Sequence, residues 1–293
     1  MPGIGVLYMQ IVNSYRDDNK LRASFNELSS KVFGLDFEGW YQNGFWKDNY
    51  NPYSVIIDGK VVSNISVNRC NMIYKGKEVK LIQLGTVMTD PDYRGKGYAK
   101  ALMDKILNDF SGKVDGIYLF ANDSVLDFYP KFGFKTQKEY CYVKDVSFEE
   151  DESVVTIPMK DKKDYEKMTE ILKSNPQNSA FYMTANPGLY MFYLSQFMTE
   201  NTFYIPKLNS YVIAEEEEGE LILHAILGDA APDRVAAAFG KDIRRIRLSF
   251  TPKDASGYLR EEVNEEDTTL FVIGSFFEET KDDIYMFQAL THA

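Results

Sequence analysis

Between Ile82 and Phe110 the apolar positions change period. Ile82-Gln-Leu-Gly-Thr-Val-Met-Thr89 reads as a strand, broken by Pro91 and Asp92. From Ala99 onward the apolar residues are Leu102, Met103, Ile106, Leu107 and Phe110, at spacings of three and one. That is one face of a 3.6-residue period, so a helix follows the strand. Upstream, residues 5–15 predict a first strand. Leu21, Phe25, Leu28 and Val32 predict a helix over Asn19–Phe33, stopped by Gly34. Tyr53–Val67 reads as a hairpin turning at Asp58-Gly59, and the strand into the loop starts near Val79. Gly116–Ala121 is a short buried strand. Val125, Leu126, Phe128, Tyr129 and Phe132 form the apolar side of a short helix, with Gly133 as its cap and Phe134 opening a strand.

The acidic run Phe148–Ser153 reads as a solvated connector. It divides the chain into residues 1–148 and 149–293. After it, strands are expected over Val154–Pro158, Thr202–Ile205, Tyr211–Ala214, Glu220–Leu227, Ile243–Phe250, Thr269–Ile273 and Asp283–Phe287. Helices are expected over Lys160–Leu172, Gly188–Met198 and Asp233–Phe239, and Glu215–Glu218 reads as an exposed turn. The fold class is α/β, with mixed sheets.

At 293 residues, 44% hydrophobic and 26% charged, the chain has the balance and length of a two-domain globular protein. No run approaches the about 18 apolar residues of a membrane span, and the first ten residues lack a signal-peptide pattern. Cys70 and Cys141 fit neither a disulfide framework nor a metal site, so a reduced, cytoplasmic setting without a metal is expected. The net charge of −11 argues against nucleic acid. It suits a cationic acceptor, since a negative field concentrates cations, and plain solubility explains it equally.

The turn between strand and helix carries Arg94-Gly95-Lys96-Gly97. Glycines let backbone approach an anion, and the first N–H groups of the helix point at it. A Walker loop is excluded, because Lys96 precedes Gly97 and no hydroxyl follows. A dinucleotide fingerprint fits poorly, with Lys100 at the third glycine position and the loop far from the first turn. The third pattern is Arg-x-x-Gly-x-Ala at Arg94, Gly97 and Ala99, following Val87-Met88-Thr89-Asp90-Pro91. This resembles motif A of the GNAT superfamily of acyl-CoA N-acyltransferases. The string Asn122 … Phe128-Tyr129-Pro-Lys-Phe132-Gly133-Phe134 resembles the superfamily's motif B, in the right order and at the right distance. Together they cover roughly residues 5–145.

The resemblance implies an acyl-CoA N-acyltransferase fold and roles for particular residues. Arg94, Gly95, Lys96, Gly97, Tyr98 and Ala99 would hold the pyrophosphate of acetyl-CoA, the co-substrate. Val87, Met88 and Thr89 would pair with the pantetheine arm and offer a backbone N–H to the thioester oxygen. Tyr129 stands where many relatives place the tyrosine that assists thiol departure. With a phenol pKa of about 10 against about 8.5 for a thiol, its help must come as charge builds on sulfur. Simple core packing is the other account of Tyr129. Asn122 is either a helix cap or a pantetheine contact. Many relatives use a glutamate before the loop as base, and here the stretch holds Gln83 instead. His224 reads as a face residue in a strand. His292 is penultimate, and the carboxylate of Ala293 and a water chain are both open as the route for the amine proton.

The aromatic cluster Phe37, Trp40, Tyr41, Phe45, Trp46, Tyr50 and Tyr53 either covers the sheet or shapes an acceptor pocket. The second half resembles a degenerate GNAT-like domain, with a different accessory domain as the alternative. Its Gly228-Asp229-Ala230-Ala231-Pro232-Asp233 would repel a pyrophosphate, which leaves one cofactor site. The expected activity is transfer of an acetyl group to a primary amine of a small molecule or peptide, by direct attack in a ternary complex. The rival is a non-catalytic acyl-CoA sensor or scaffold. Neither a nucleic-acid nor a membrane partner is expected.

Overall fold

The computed structural model describes residues 9–149, 154–184 and 186–292. In chain order, β1 is Gln10–Asn13, α1 Asn19–Phe33, α2 Glu38–Gln42, β2 Tyr50–Ile57, β3 Lys60–Tyr74 and β4 Lys77–Thr89. Then come α3 Tyr98–Phe110, β5 Gly116–Ala121, β6 Lys135–Thr136 and β7 Tyr140–Asp145. The second half holds β8 Val155–Thr156, α4 Lys162–Ser174, β9 Phe181–Thr184, α5 Pro187–Gln196, β10 Thr202–Ile205, β11 Ser210–Glu217 and β12 Glu220–Leu227. It ends with α6 Pro232–Phe239, β13 Arg245–Leu248, β14 Leu259–Glu262, β15 Thr269–Ile273 and α7 Ser275–Glu279. Among the described residues no helix is long and apolar enough to cross a membrane.

Two mixed sheets result. The first runs β1-β2-β3-β4-β5-β15-β6, with β9 added beside the far end of β3. The second runs β14-β7-β13-β12-β11-β10-β8. The two match strand for strand. Each has an antiparallel meander (β2-β3-β4 and β10-β11-β12), then a parallel pair joined by a helix: β4 with β5 through α3, and β12 with β13 through α6. An antiparallel strand flanks each parallel pair, and here the halves trade. β15, from the end of the chain, pairs β5, while β7, from the N-terminal half, pairs β13. Two similarly wound, GNAT-like units thus stand in tandem; the first sheet takes β15 and β9 from the second half, and the second takes β7 from the first. The expected boundary at 148/149 follows β7, and neither sheet lies wholly on one side of it.

Local chemistry sets the ends of the elements. Asp18 caps α1 by accepting from Lys20 N and Leu21 N, and Gly34 closes it in the left-handed region. Asp58 and Gly59 turn the β2–β3 hairpin with φ of 49° and 76°. One face of the first sheet packs on α3 through Leu102, Met103 and Ile106. The other packs on α1, α2 and α5 through Phe25, Trp40, Leu189 and Met191.

Several sequence expectations need correction. The short helix over residues 125–132 is two 3₁₀ turns, Asp123–Val125 and Tyr129–Phe132. Pro130 has no N–H to continue an α ladder between them. Glu215–Glu217 extend strand β11 and only Glu218-Gly219 turn, because each glutamate backbone pairs with β12. Asp283–Phe287 is not a strand. Its amides go to side chains instead, Met286 N to Thr251 Oγ1 at 2.8 Å and Phe287 N to Glu139 Oε1 at 2.7 Å. Strands β7, β9 and β14 were not expected at all.

Candidate functional site

The site begins where β4 leaves β5. The two strands pair only through Leu81, Ile82 and Gln83. Beyond these, β4 carries an irregularity opposite Asn64–Ser66, and Thr86 sits at φ 46°. A non-glycine residue there is strained. Two bonds hold it: the Thr86 carbonyl accepts from Asn64 Nδ2 at 2.9 Å, and Thr86 Oγ1 lies 2.7 Å from Tyr50 Oη. The strands splay from this point, and a cavity of about 900 Å³ opens between them.

One end of the cavity is the glycine loop. Asp90 accepts from Asp92 N at 3.0 Å and pairs with Lys31 at 2.9 Å, which holds its carboxyl below the usual carboxylate range. Arg94 Nε donates to the Thr89 carbonyl at 3.3 Å. Gly95 and Gly97 have φ of 75° and 81°, and a Cβ at either would meet nothing within 4 Å. The glycines are therefore needed for conformation rather than for room. Gly97 is the N-cap of α3 and has no side chain to offer, so nothing of its own caps the first turn. Those N–H groups and the positive end of the helix are left for an anion.

Of the residues assigned from the sequence, the cavity wall includes Val87, Met88, Thr89, Arg94, Gly95, Ala99, Asn122 and Tyr129. Lys96, Gly97 and Tyr98 lie outside it. Lys96 is exposed, its Nζ donating to the Asp92 carbonyl at 3.1 Å and lying 4.3 Å from the centroid of the Tyr93 ring. Asn122 makes no side-chain cap bond, so its amide is free to face the cavity. Tyr129 is 3% exposed and packs between Phe128, Phe134 and Phe271 of β15, with centroids 5.2, 6.2 and 5.3 Å away. Burial pushes its phenol up to about 12. Tyr129 is at once a core aromatic and part of the cavity wall.

The opposite end is aromatic. Phe37, Trp40 and Tyr50 meet Leu189, Phe192 and Tyr193 of α5 there, beside Phe120 and His292. Sequence reasoning weighed the first three as cover or pocket, and they serve as both. It missed the α5 residues and Phe120, whose apolar helix and strand patterns gave no sign of which neighbours they face. The His292 ring stacks on Phe120 at 3.6 Å, and its Nε2 has no partner. Burial drives this imidazole down to about 3. Ala293 lies outside the described residues. Gln83 is fully buried, and neither of its amide atoms finds a partner. His224 sits in β12, 3.1 Å from Glu215 of β11, away from the cavity.

The second sheet has no equivalent site. After β12 its loop is braced by the chain itself: Gly228 N donates to Pro176 O at 2.8 Å, and Asn178 Nδ2 to Ala230 O at 2.6 Å. Asp233 stands in the first turn of α6, bound to Lys144 and, at 2.6 Å, to the Tyr258 hydroxyl. A carboxylate occupies the place an incoming phosphate would need.

A splayed parallel pair, a glycine loop opening a helix and a cavity joining them are the features that the resemblance to acyl-CoA N-acyltransferases led to expect. Known proteins agree. Residues 19–136 match the family model of the acetyltransferase (GNAT) domain. A stretch of 54 residues is 39% identical to the chloroplastic GCN5-related N-acetyltransferase 2 of Arabidopsis thaliana, which is 18% of this chain and 21% of that protein. The chain thus spans about a fifth of that curated relative. A solved protein from Enterococcus faecalis, described as a probable N-acyltransferase, superposes with a TM-score of 0.64 at 15% identity, over 93% of this chain and 74% of its own. A GCN5-related N-acetyltransferase from Kribbella flavida gives 0.57 at 14%, over 91% and 71%. Eis1 from Mycobacterium abscessus gives 0.55 at 12%, over 95% and 76%. The family match thus covers residues 19–136, and the solved structures share the fold over most of the chain.

Proposed function

We propose that the protein moves an acyl group, acetyl first, from acyl-CoA to a primary amine by direct attack in a ternary complex. The observation that supports it is one cavity lined by Arg94, Gly95 and Ala99 beside the start of α3, by the splayed part of β4 and by the aromatic wall. Arg94 to Ala99 would grip the diphosphate, with Lys96 adding charge from outside the wall. Val87 to Thr89 would align the pantetheine arm and donate to the oxygen that gains charge. Asn122 would touch the arm. Tyr129, a proton donor throughout the neutral range, would hydrogen-bond the sulfur as the C–S bond breaks. The neutral amine attacks the carbonyl carbon, the C–S bond breaks, and the proton the amine nitrogen loses to solvent is matched by the one the departing sulfur takes up to become the CoA thiol. In this scheme residues 1–148 hold the cofactor, and the second half completes the acceptor side.

A non-catalytic acyl-CoA sensor is favoured by one feature, the neutral Gln83 where relatives carry a carboxylate. Release of CoA thiol separates the two. Incubation with acetyl-CoA and a panel of primary amines should liberate thiol for at least one of them; binding of CoA with no release across the panel leaves only the sensor. Reversing both charges, Arg94→Glu with Lys96→Glu, should weaken CoA binding at least tenfold by calorimetry, about 1.4 kcal/mol. Unchanged affinity would remove the loop from the scheme.

A further inference from the structure

The aromatic end of the cavity says what kind of amine it takes. Its rings are fixed against one another across the two halves. Phe37 stacks on Phe192 at 5.2 Å and 19°, and Trp40 meets Phe192 edge-on at 6.0 Å and 84°. Trp40 also meets Tyr50 at 5.3 Å and 89°. Their polar handles are already engaged. Trp40 Nε1 donates to the Gly188 carbonyl at 2.7 Å, Tyr50 Oη lies 2.7 Å from Thr86 Oγ1, and Tyr193 Oη donates to the His292 carbonyl at 2.6 Å. What remains to meet a ligand is carbon, plus one nitrogen: His292 Nε2, buried and without a partner.

Among the described residues the aromatic wall of this chamber carries no charged side chain. Asp127 is the one carboxylate among the described lining residues, and it stands on the turn beside Phe128, near Lys131, rather than on the aromatic wall. The net charge of −11 therefore lies elsewhere on the molecule. A polyamine or amino sugar would lose its hydration here and gain no ion pair or hydrogen-bond set from the described side chains of that wall in return. An apolar body instead gains about fourfold in affinity for each methylene it buries. The ring faces also attract an arriving ammonium, and a low-dielectric wall favours its neutral, nucleophilic form.

From this juxtaposition we infer that the acceptor is a small primary amine carried on an aromatic or bulky aliphatic body. The body would lie in the cavity against the wall that Trp40, Tyr50 and Phe192 form, with its nitrogen within reach of His292 Nε2. This rests on the acyl-transfer reading and names its substrate class.

The test uses the full chain with saturating acetyl-CoA and follows thiol release. The amines are 2-phenylethylamine, tryptamine and hexylamine against spermidine, glucosamine and a lysine-containing peptide. The first three should exceed the others at least a hundredfold in kcat/KM. Phe192→Ala should lower kcat/KM for tryptamine at least tenfold while calorimetry shows CoA still bound, which certifies the fold; Phe192→Leu should fall between. Preference for spermidine, glucosamine or the peptide overturns the inference and leaves acyl transfer standing. Should no amine release thiol, calorimetry of 2-phenylethylamine on the CoA-loaded chain decides the chamber alone. Binding that Phe192→Ala weakens upholds it, and absence of binding sinks it.

Discussion

The Tyr129 hydroxyl is altered by burial alone. With no polar partner and a buried ring, its pKa rises to about 12. A phenol that ionised near 10 would lose its donor hydrogen there, and this one keeps it. The pH–rate profile should therefore show no falling limb near pH 10 from this residue. Tyr129→Phe should leave CoA affinity in place and lower turnover roughly tenfold or more, within the span of general acid–base contributions. Unchanged turnover in Tyr129→Phe would return the residue to the core alone. The motif around Tyr129 was legible in the sequence because its residues are contiguous. Phe271, which seats the ring, lies more than a hundred positions later and carries no mark of that contact. For the same reason the wall residues Phe120 and Phe192 were not legible: position in a cavity is a property of the pairing of distant segments.

At the level of elements, helices and the hairpin were readable where a cap or turn residue punctuates a clear period. The bounds of α1 and β15 and the Asp58-Gly59 turn follow from such local signals. Short strands that pair by backbone alone, β9 and β14, carry no comparable pattern. The stretch 283–287 shows the reverse, an apolar run that tertiary side chains take over. The start of α3 makes a measurable case. Gly97→Ala places a Cβ in open space, so its cost is that of a left-handed alanine, about 1–2 kcal/mol. Urea unfolding should show a loss of that size, and CoA titration should show weaker binding, since relieving the strain turns the first N–H groups away. A variant as stable as the parent would mean that the loop reaches the same dihedrals at no cost.

For the molecule as a whole, the crossing of β7 from one unit to the other passes Glu139, a buried carboxyl that accepts from Phe287 N. Burial raises it from 4.5 to about 8. The folded chain then keeps a proton that the unfolded chain releases, so this group's contribution to stability declines as pH rises through that window. Glu139→Gln has nothing to release. The difference in Tm, variant minus parent, should grow in the variant's favour from pH 6 to pH 9, and a difference flat with pH would place the residue's proton elsewhere. Calorimetry of the parent should show one transition, because each sheet closes on a strand from the other half.

That reciprocal loan has a consequence for synthesis. When residue 148 has left the ribosome, β5 still shows a bare edge, β6 has nothing to pair with and the seat of Tyr129 lacks its floor. The nascent first unit cannot mature before the second exists, so its exposed edge must be shielded until Thr269–Ile273 arrives.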